Sequence, residues 1–574
     1  MLPRSADRAA RSGARSALAA LLPPFAVGAA LRLHRIDSQL PFGDELHAVR
    51  VVALHPLRTI LTSWFEADPS PPLASLYELL VQAGVGLDER VLRAPSLLCG
   101  LAALFVIPLA IRARAPRLAT PLAWMLALAP GLALYSRIAR PYMPVALLGF
   151  VAALSFLAWW RRPSAGTGAL FVVSAATTLW LFIGTAPFVA AFFVFAAAAE
   201  LLRPRRGPGW RSLLCLGLAL GVAVALFLVP GRESFLELLR TKPTGSPPGV
   251  RSTLEALQLL AGTRTPATAV LFWLLALAGL HATAKRDPPL ALFSALAVVA
   301  QLGGMLLLAP VGIPNPVVFA RYLLVGLPLI LCWVAAGLVE LGDRSRRRFG
   351  LAAGALAPAV AVVALFLAGP FSDRALYSTS FLSSEEYLGF HVPRSRLPAS
   401  TIPTIYRELG STNERGAVLE YTGSATWNHL NHLVAYQEIH RRRVLFSPQD
   451  DDKLFAPGIA LRNMVRPEPA AFLVSPARFL VVHHDTAGEL DRLERPGSVG
   501  LPPFGGDYQQ HARRMSQGMA RRLESSWGPP GYVDDDVSVW DLWEVSARAD
   551  SSENLREHDR ATPSNGAPIA PPPD

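Results

Sequence analysis

The chain has 574 residues, 52% hydrophobic and 17% charged, with a mean hydropathy of +0.33. Charge falls well below the usual quarter of a soluble domain and the apolar residues come in long blocks, which excludes an ordinary soluble globular protein. The formal net charge of +11 would suit a nucleic-acid binder, but the arginines cluster in short loops between apolar blocks. They read instead as topology signals against an anionic membrane face, with no nucleic acid as partner.

Residues 1–16 are Arg-rich and lead into an apolar run ending near Leu33. No small-x-small cleavage site precedes Arg32, so the start reads as an uncleaved signal-anchor helix with a basic cytoplasmic flank. Residues 34–92 form a long extracytoplasmic loop. Within it Pro71–Gly86 is apolar but shorter than the ~20 residues a spanning helix needs, and is expected to lie along the membrane surface. Counting it as a span would put Arg112, Arg114 and Arg117 outside and invert every later loop.

The remaining apolar blocks run near 94–111, 118–135, 143–160, 167–183, 185–201, 212–229, 266–283, 290–309, 321–340 and 350–369. With them Arg112/Arg114/Arg117, Arg161/Arg162, Arg203/Arg205/Arg206/Arg211, Lys285/Arg286 and Arg344/Arg346/Arg347/Arg348 all fall on the cytoplasmic side. Together with the first helix this predicts about eleven spans. Cys99, Cys215 and Cys332 all fall inside apolar blocks, so neither a disulfide framework nor a zinc knuckle is offered.

After residue 369 the long apolar blocks stop. Short β-type runs appear at Ala417–Tyr421, Arg443–Phe446, Phe479–Val482 and Val537–Val545, and a helix fits Ile402–Leu409. Residues 370–546 are expected to form a compact extracytoplasmic α/β domain, and residues 547–574 a disordered tail. The fold class expected is a polytopic α-helical membrane protein, with 17–369 as its embedded domain.

Once topology is set, the polar motifs gather on one face. Asp44-Glu45, followed by His47, stands just after the first apolar segment, where charged side chains are costly to hold. Asp before the apolar Ala48–Leu54 also suits a helix N-cap. Asp68-Pro69-Ser70-Pro71-Pro72-Leu73 reads as a helix-start signal set by its prolines. Tyr135-Ser136-Arg137-Ile138-Ala139-Arg140-Pro141-Tyr142 and Asn315-Pro316-Val317-Val318-Phe319-Ala320-Arg321-Tyr322 place arginines on the outer side, against the positive-inside pattern. Two readings stay open for them: snorkelling to lipid phosphates, or a planar guanidinium fork gripping a phosphate. A metal site from Asp44 and His47, or from His483-His484-Asp485, is the weaker reading; the latter follows an apolar strand and fits a strand-end turn. Asp534–Asp536 fit a hairpin turn.

The order of these motifs, with Arg93-Ala94-Pro95-Ser96 opening a span, resembles the polyprenyl-phosphate-dependent membrane glycosyltransferases of the GT-C fold. That superfamily includes protein O-mannosyltransferases and lipid A aminoarabinose transferases. The Ser-Arg-Ile-Ala-Arg-Pro-Tyr segment is similar to the family's outer-loop Ser-x-x-Ala-Arg-x-Tyr pattern. Val318–Leu324 with Pro328 is similar to its Arg-Tyr-Leu-Leu…Pro pattern. The resemblance covers most of residues 17–340, and Gly528–Asp535 with Val539-Trp540-Asp541-Leu542 resembles the ending of bacterial members. Ser70 departs from the His or Asn that many members carry before Pro-Pro. The second loop lacks the further acidic residues of metal-using oligosaccharyltransferases, so no bound divalent cation and no cofactor is expected.

The resemblance implies a polyprenyl-phosphate-linked sugar donor, a lipid, glycan or protein acceptor, and a multi-pass place in a bacterial inner membrane amid membrane lipid. Asp44 is then the candidate general base for the acceptor hydroxyl, with Glu45 orienting the acceptor or tuning its neighbour. Arg140 and Arg321, with Tyr142 and Tyr322, are candidates for the donor phosphate. Asp68 and His47 are candidates for positioning the acceptor or loop, and inversion at the anomeric carbon is implied by the family alone. A transporter or flippase is the competing class, as is a membrane-anchored binding or assembly protein. The spans, however, hold almost no charge along their length, unlike transporters with ionisable groups near mid-membrane.

Overall fold

The structure is a computed structural model. It describes residues 19–34, 55–65, 70–85, 89–202, 208–241, 246–263, 265–310, 312–367, 402–412, 416–421, 469–473, 477–485 and 506–549. Residues 36, 45, 48, 51–52, 87, 436, 439–440, 442 and 444–445 are described individually. The chain divides into two units, Met1–Arg396 and Leu397–Asp574.

In the first unit, proline sets most helix starts, because its fixed φ suits the first turn and its missing N–H is not needed there. Helices α1 (Leu22–Leu33), α2 (Leu57–Leu61) and α3 (Pro71–Gln82) precede the long α4 (Glu89–Arg112). Then come α5 (Pro116–Leu128), the short α6 (Pro130–Tyr135) and α7 (Tyr142–Arg161). The Ser164 side chain caps α8 (Ala165–Leu181), and a 3-10 turn at Ile183–Thr185 leads into α9 (Ala186–Leu202) and α10 (Trp210–Leu228). Two amphipathic helices follow, α11 (Arg232–Thr241) and α12 (Val250–Ala261), the latter ended by Gly262 at φ +73°. Helices α13 (Pro266–Arg286), α14 (Pro288–Leu308), α15 (Pro316–Tyr322), α16 (Leu327–Phe349) and α17 (Leu351–Leu367) complete the unit.

The apolar blocks expected to span are helical over most of their described residues, with the 321–340 block divided between α15 and α16 by a 3-10 turn at Leu324–Gly326. Among the described residues, seven helical segments are long and apolar enough to cross a membrane by length and composition; α1, α8 and the α17 segment Leu351–Leu365 are apolar but shorter. The block read as a single segment over 118–135 is broken, because Pro130 has no N–H to give the Leu126 carbonyl. Helix α3 is a 12-residue amphipathic helix with Leu73, Ala74 and Tyr77 buried and Leu79 half exposed. Its Tyr77 hydroxyl donates to Leu92 O at 2.5 Å, tying it to the start of α4. Helices α13 and α16 meet at glycines: a Cβ on Gly279 would lie 1.8 Å from Trp333 O, and one on Gly337 2.1 Å from Leu275 O. Without a hydrophobic drive between helices in lipid, such small-residue crossings bring backbones together. The sequence did not single out α11 and α12, whose charged residues interrupt the apolar pattern.

The second unit holds a five-stranded sheet in the order β2-β1-β3-β5-β4. Helix α18 (Thr404–Ser411) leads to β1 (Ala417–Tyr421), which is parallel to both β2 (Val444–Leu445) and β3 (Ala477–His483). The helices α19 (Pro469–Leu473) and α20 (Gly506–Trp527) flank β3 in sequence, and β4 (Tyr532–Val533) pairs antiparallel with β5 (Val537–Asp541). Leu419, Leu480, Val482 and Trp540 from the strands pack on Met519 and Leu523 of α20. The run read to Val545 stops as a strand at Asp541, whose Oδ1 accepts the Trp543 and Glu544 amides at 3.0 and 3.4 Å and caps a helical turn. His483 ends β3. Asp534 Oδ1 accepts the Asp536 and Val537 amides at 2.9 and 2.8 Å, making the β4–β5 turn.

Candidate active site

Asp44, His47 and Asp68 lie outside the described residues. Glu45 does not, and its surroundings define the site. Its carboxylate receives Arg93 as a bidentate fork, Nε to Oε1 at 2.9 Å and Nη2 to Oε2 at 2.8 Å. Both side chains are sealed, Glu45 at 2% exposure and Arg93 at 0%. Arg93 Nη1 also donates to Ile36 O at 2.6 Å, and Glu45 Oε1 accepts the Ala139 amide at 2.9 Å. A buried charge pair of this kind is costly to desolvate and is held only by good geometry and further hydrogen bonds, which are present here.

The Ala139 bond fastens the Ser136–Arg140 turn, which is pinned from three directions. From α1, Arg32 Nε donates to Ser136 Oγ at 3.1 Å. The rest of that guanidinium occupies the α5–α6 break: Nη2 donates to Leu126 O at 3.0 Å and Nη1 to Ala127 O at 3.2 Å. Arg32 thus satisfies the carbonyl that Pro130 leaves open. Gly100 makes room for this, since a Cβ there would lie 2.1 Å from Ser136 Oγ. Arg137 Nη1 donates to Leu31 O at 3.1 Å, and from α4 Ser96 Oγ donates to Arg140 O at 2.7 Å.

The turn delivers Arg140 and Tyr142 to the start of α7. There the second outer-face motif arrives from α15. The Arg321 guanidinium carbon lies 5.5 Å from the centre of the Tyr142 ring and 5.7 Å from that of Tyr322; Arg140 lies 5.9 Å from Tyr142. Tyr142 and Tyr322 are 6.4 Å apart between ring centres, with Tyr135 and Phe182 closing the cluster. Both guanidiniums thus lie within cation–π range of the one Tyr142 ring.

Tyr322 is held in turn by Gln301, a buried amide on α14 whose Nε2 donates to Tyr322 O at 2.9 Å and to Gly184 O at 3.1 Å. It serves two chain breaks at once, the 3-10 turn before α9 and the end of α15.

The structure therefore brings Arg140, Tyr142, Arg321 and Tyr322 together and ties Glu45 to the same turn. Arg32, Arg93 and Gln301 were given no role from the sequence, although each is a polar or charged residue within an apolar helix, which is itself a signal.

No protein-family model and no curated protein matches the chain. Solved structures similar to it include ArnT from Cupriavidus metallidurans in the apo state, and the same protein bound to undecaprenyl phosphate. Each is 16% identical with a TM-score of 0.43, covering 85% of this chain and 97% and 96% of its own length.

Proposed function

We propose that the chain is a GT-C-type transferase that moves a sugar from a polyprenyl-phosphate carrier to an acceptor hydroxyl at the extracytoplasmic face of a bacterial inner membrane. The observation that carries the reading is the convergence of Arg140 and Arg321 on the Tyr142 ring, beside a turn fixed by Glu45. Donor phosphate sits between the two guanidiniums, which meet the charge that builds on it as the glycosidic bond breaks. Asp44, next to the Glu45 anchor, accepts the proton of the acceptor hydroxyl while that oxygen bonds to the anomeric carbon. The electron pair of the departing bond leaves with polyprenyl phosphate, and the single displacement inverts the anomeric centre. Glu45 and Arg93 act through position: both carboxylate oxygens of Glu45 are already engaged, so it fixes its neighbour rather than handling a proton. His47 and Asp68 shape the acceptor side.

The test is transfer by the purified protein from a labelled polyprenyl-phosphate sugar to an envelope extract, scored beside transbilayer movement of the same donor. Release of free polyprenyl phosphate coupled to labelled acceptor is expected. Donor movement without transfer would replace the enzyme by a flippase.

A further inference from the structure

At the other end of α16 from Tyr322, a cleft of about 800 Å³ opens between α5, α16 and α17. Its walls are apolar, from Trp124 and Leu128 on α5, Leu338 on α16, and Ala355 and Val362 on α17. Near their hairpin α16 and α17 approach closely at glycines. A Cβ on Gly342 would lie 2.9 Å from Gly354 O, and one on Gly354 2.7 Å from Arg346 Cβ. The volume falls within the ~300–1,000 Å³ of ligand sites, but the lining lacks the convergent polar groups that a water-soluble ligand needs.

Beside the Thr120 hydroxyl, the charged groups of the lining are Asp343 and Arg346, three residues apart on α16. Asp343 is engaged by Arg117 at 3.7 Å. Arg286, Arg344 and Arg347 all draw on the single carboxylate of Glu340, at 3.9, 2.9 and 3.8 Å. Among the described residues no carboxylate pairs with the Arg346 guanidinium, so the rim carries an unmatched positive charge above a hydrocarbon-lined slot.

From this charge complementarity we infer that the cleft binds an anionic glycerophospholipid, its acyl chains along Trp124 and Val362 and its phosphate at Arg346. By the arginine bias of its loops this end faces the cytoplasm, where anionic headgroups meet basic pockets between spans. A zwitterionic lipid would bring its own ammonium group against the arginines and is discriminated against. The inference does not depend on the transferase reading.

The experiment is native mass spectrometry of the full chain released from bilayers of equal phosphatidylglycerol and phosphatidylethanolamine, with and without added polyprenyl phosphate. Wild type should retain phosphatidylglycerol over phosphatidylethanolamine by about tenfold, the equivalent of ~1.4 kcal/mol. Arg346→Ala should bring that ratio to parity. Val362→Trp and, independently, Ala355→Trp should fill the slot and lower total retained lipid, with Arg346→Ala keeping the measurement valid if either fails to fold. Equal retention of the two phospholipids, an unchanged ratio in Arg346→Ala, a slot that retains no lipid, or displacement by polyprenyl phosphate would each overturn the assignment.

Discussion

Glu45 and Arg93 stand 48 positions apart and meet in a buried bidentate ion pair at 2.9 and 2.8 Å, with the Ala139 amide bound to the same carboxylate at 2.9 Å. This arrangement joins the acidic loop to the Ser136–Arg140 turn. Deleting one partner strands a buried charge, at a cost of roughly 3–5 kcal/mol, whereas replacing both by apolar groups is far milder. Glu45→Leu and Arg93→Met should therefore each lower the apparent Tm in detergent more than the double variant does. Additive losses would mean that the two side chains are not coupled.

Asp44→Asn should abolish sugar transfer while leaving expression and apparent Tm at the wild-type level, because the substitution keeps size and removes only the basic oxygen. A loss of ~10²–10⁴ in turnover is the range for removing a general base. Wild-type turnover in this variant would falsify the assignment.

Arg321→Ala and Arg140→Ala should act on the lipid phosphate. Both are expected to raise the donor KM and lower kcat, and Arg321→Lys should recover part of the loss, since it restores charge without the planar fork. Tyr142→Leu should raise the donor KM as well, because both guanidiniums rest on that ring. Steady-state kinetics with varied donor decide this; an unchanged KM and kcat in Arg321→Ala would remove it from the site.

The parts of this arrangement that were legible in the sequence are those with local causes. Pro71-Pro72 announced the start of α3, and the Arg-rich loops spaced the apolar blocks. The arginines at 140 and 321 were visible because they broke the loop pattern. What the sequence did not carry was pairing at a distance. Nothing local marks Arg93 as the partner of Glu45, and nothing local sends Arg32 from α1 to the Leu126 carbonyl. Pro130 lay in plain view, yet whether a proline merely bends an apolar segment or divides it depends on what satisfies the freed carbonyl. Here that group is a guanidinium from a different helix. Gln301 is a similar case: its amide serves Gly184 and Tyr322, both remote in the chain.

Gln301→Leu should test that last link. The substitution removes the donor to Tyr322 O and to Gly184 O, two part-buried carbonyls, at up to ~1–3 kcal/mol each. A lower apparent Tm is expected together with a raised donor KM, because Tyr322 and Arg321 lose their support. A fall in Tm with an unaltered KM would confine Gln301 to packing.

In the second unit, the His440 imidazole is held neutral, its pKa lowered from 6.5 to about 3, first by burial and then by the Arg442 guanidinium nearby. Its Nδ1 accepts the Arg442 amide at 3.1 Å and its ring stacks 5.6 Å from Tyr406, itself stacked on Tyr436. The unfolded chain takes up a proton below about pH 6.5, whereas the folded unit resists until about pH 3. Stability from this group is therefore complete above that upper value and drains away as pH falls across the interval, by at most ~1.4 kcal/mol per pH unit. A buried carboxylate–imidazole pair, Glu420–His483 at 2.9 Å, lies in the same unit, so the wild-type slope alone does not isolate His440. Pulse proteolysis of the full chain in urea at pH 4.5, 5.5 and 7 (test conditions of about these values, chosen to bracket the interval) should show cleavage within the second unit rising toward acid. His440→Gln, which cannot gain a proton, should flatten that rise. An equally steep acid dependence in the variant would assign the whole effect to the other buried groups.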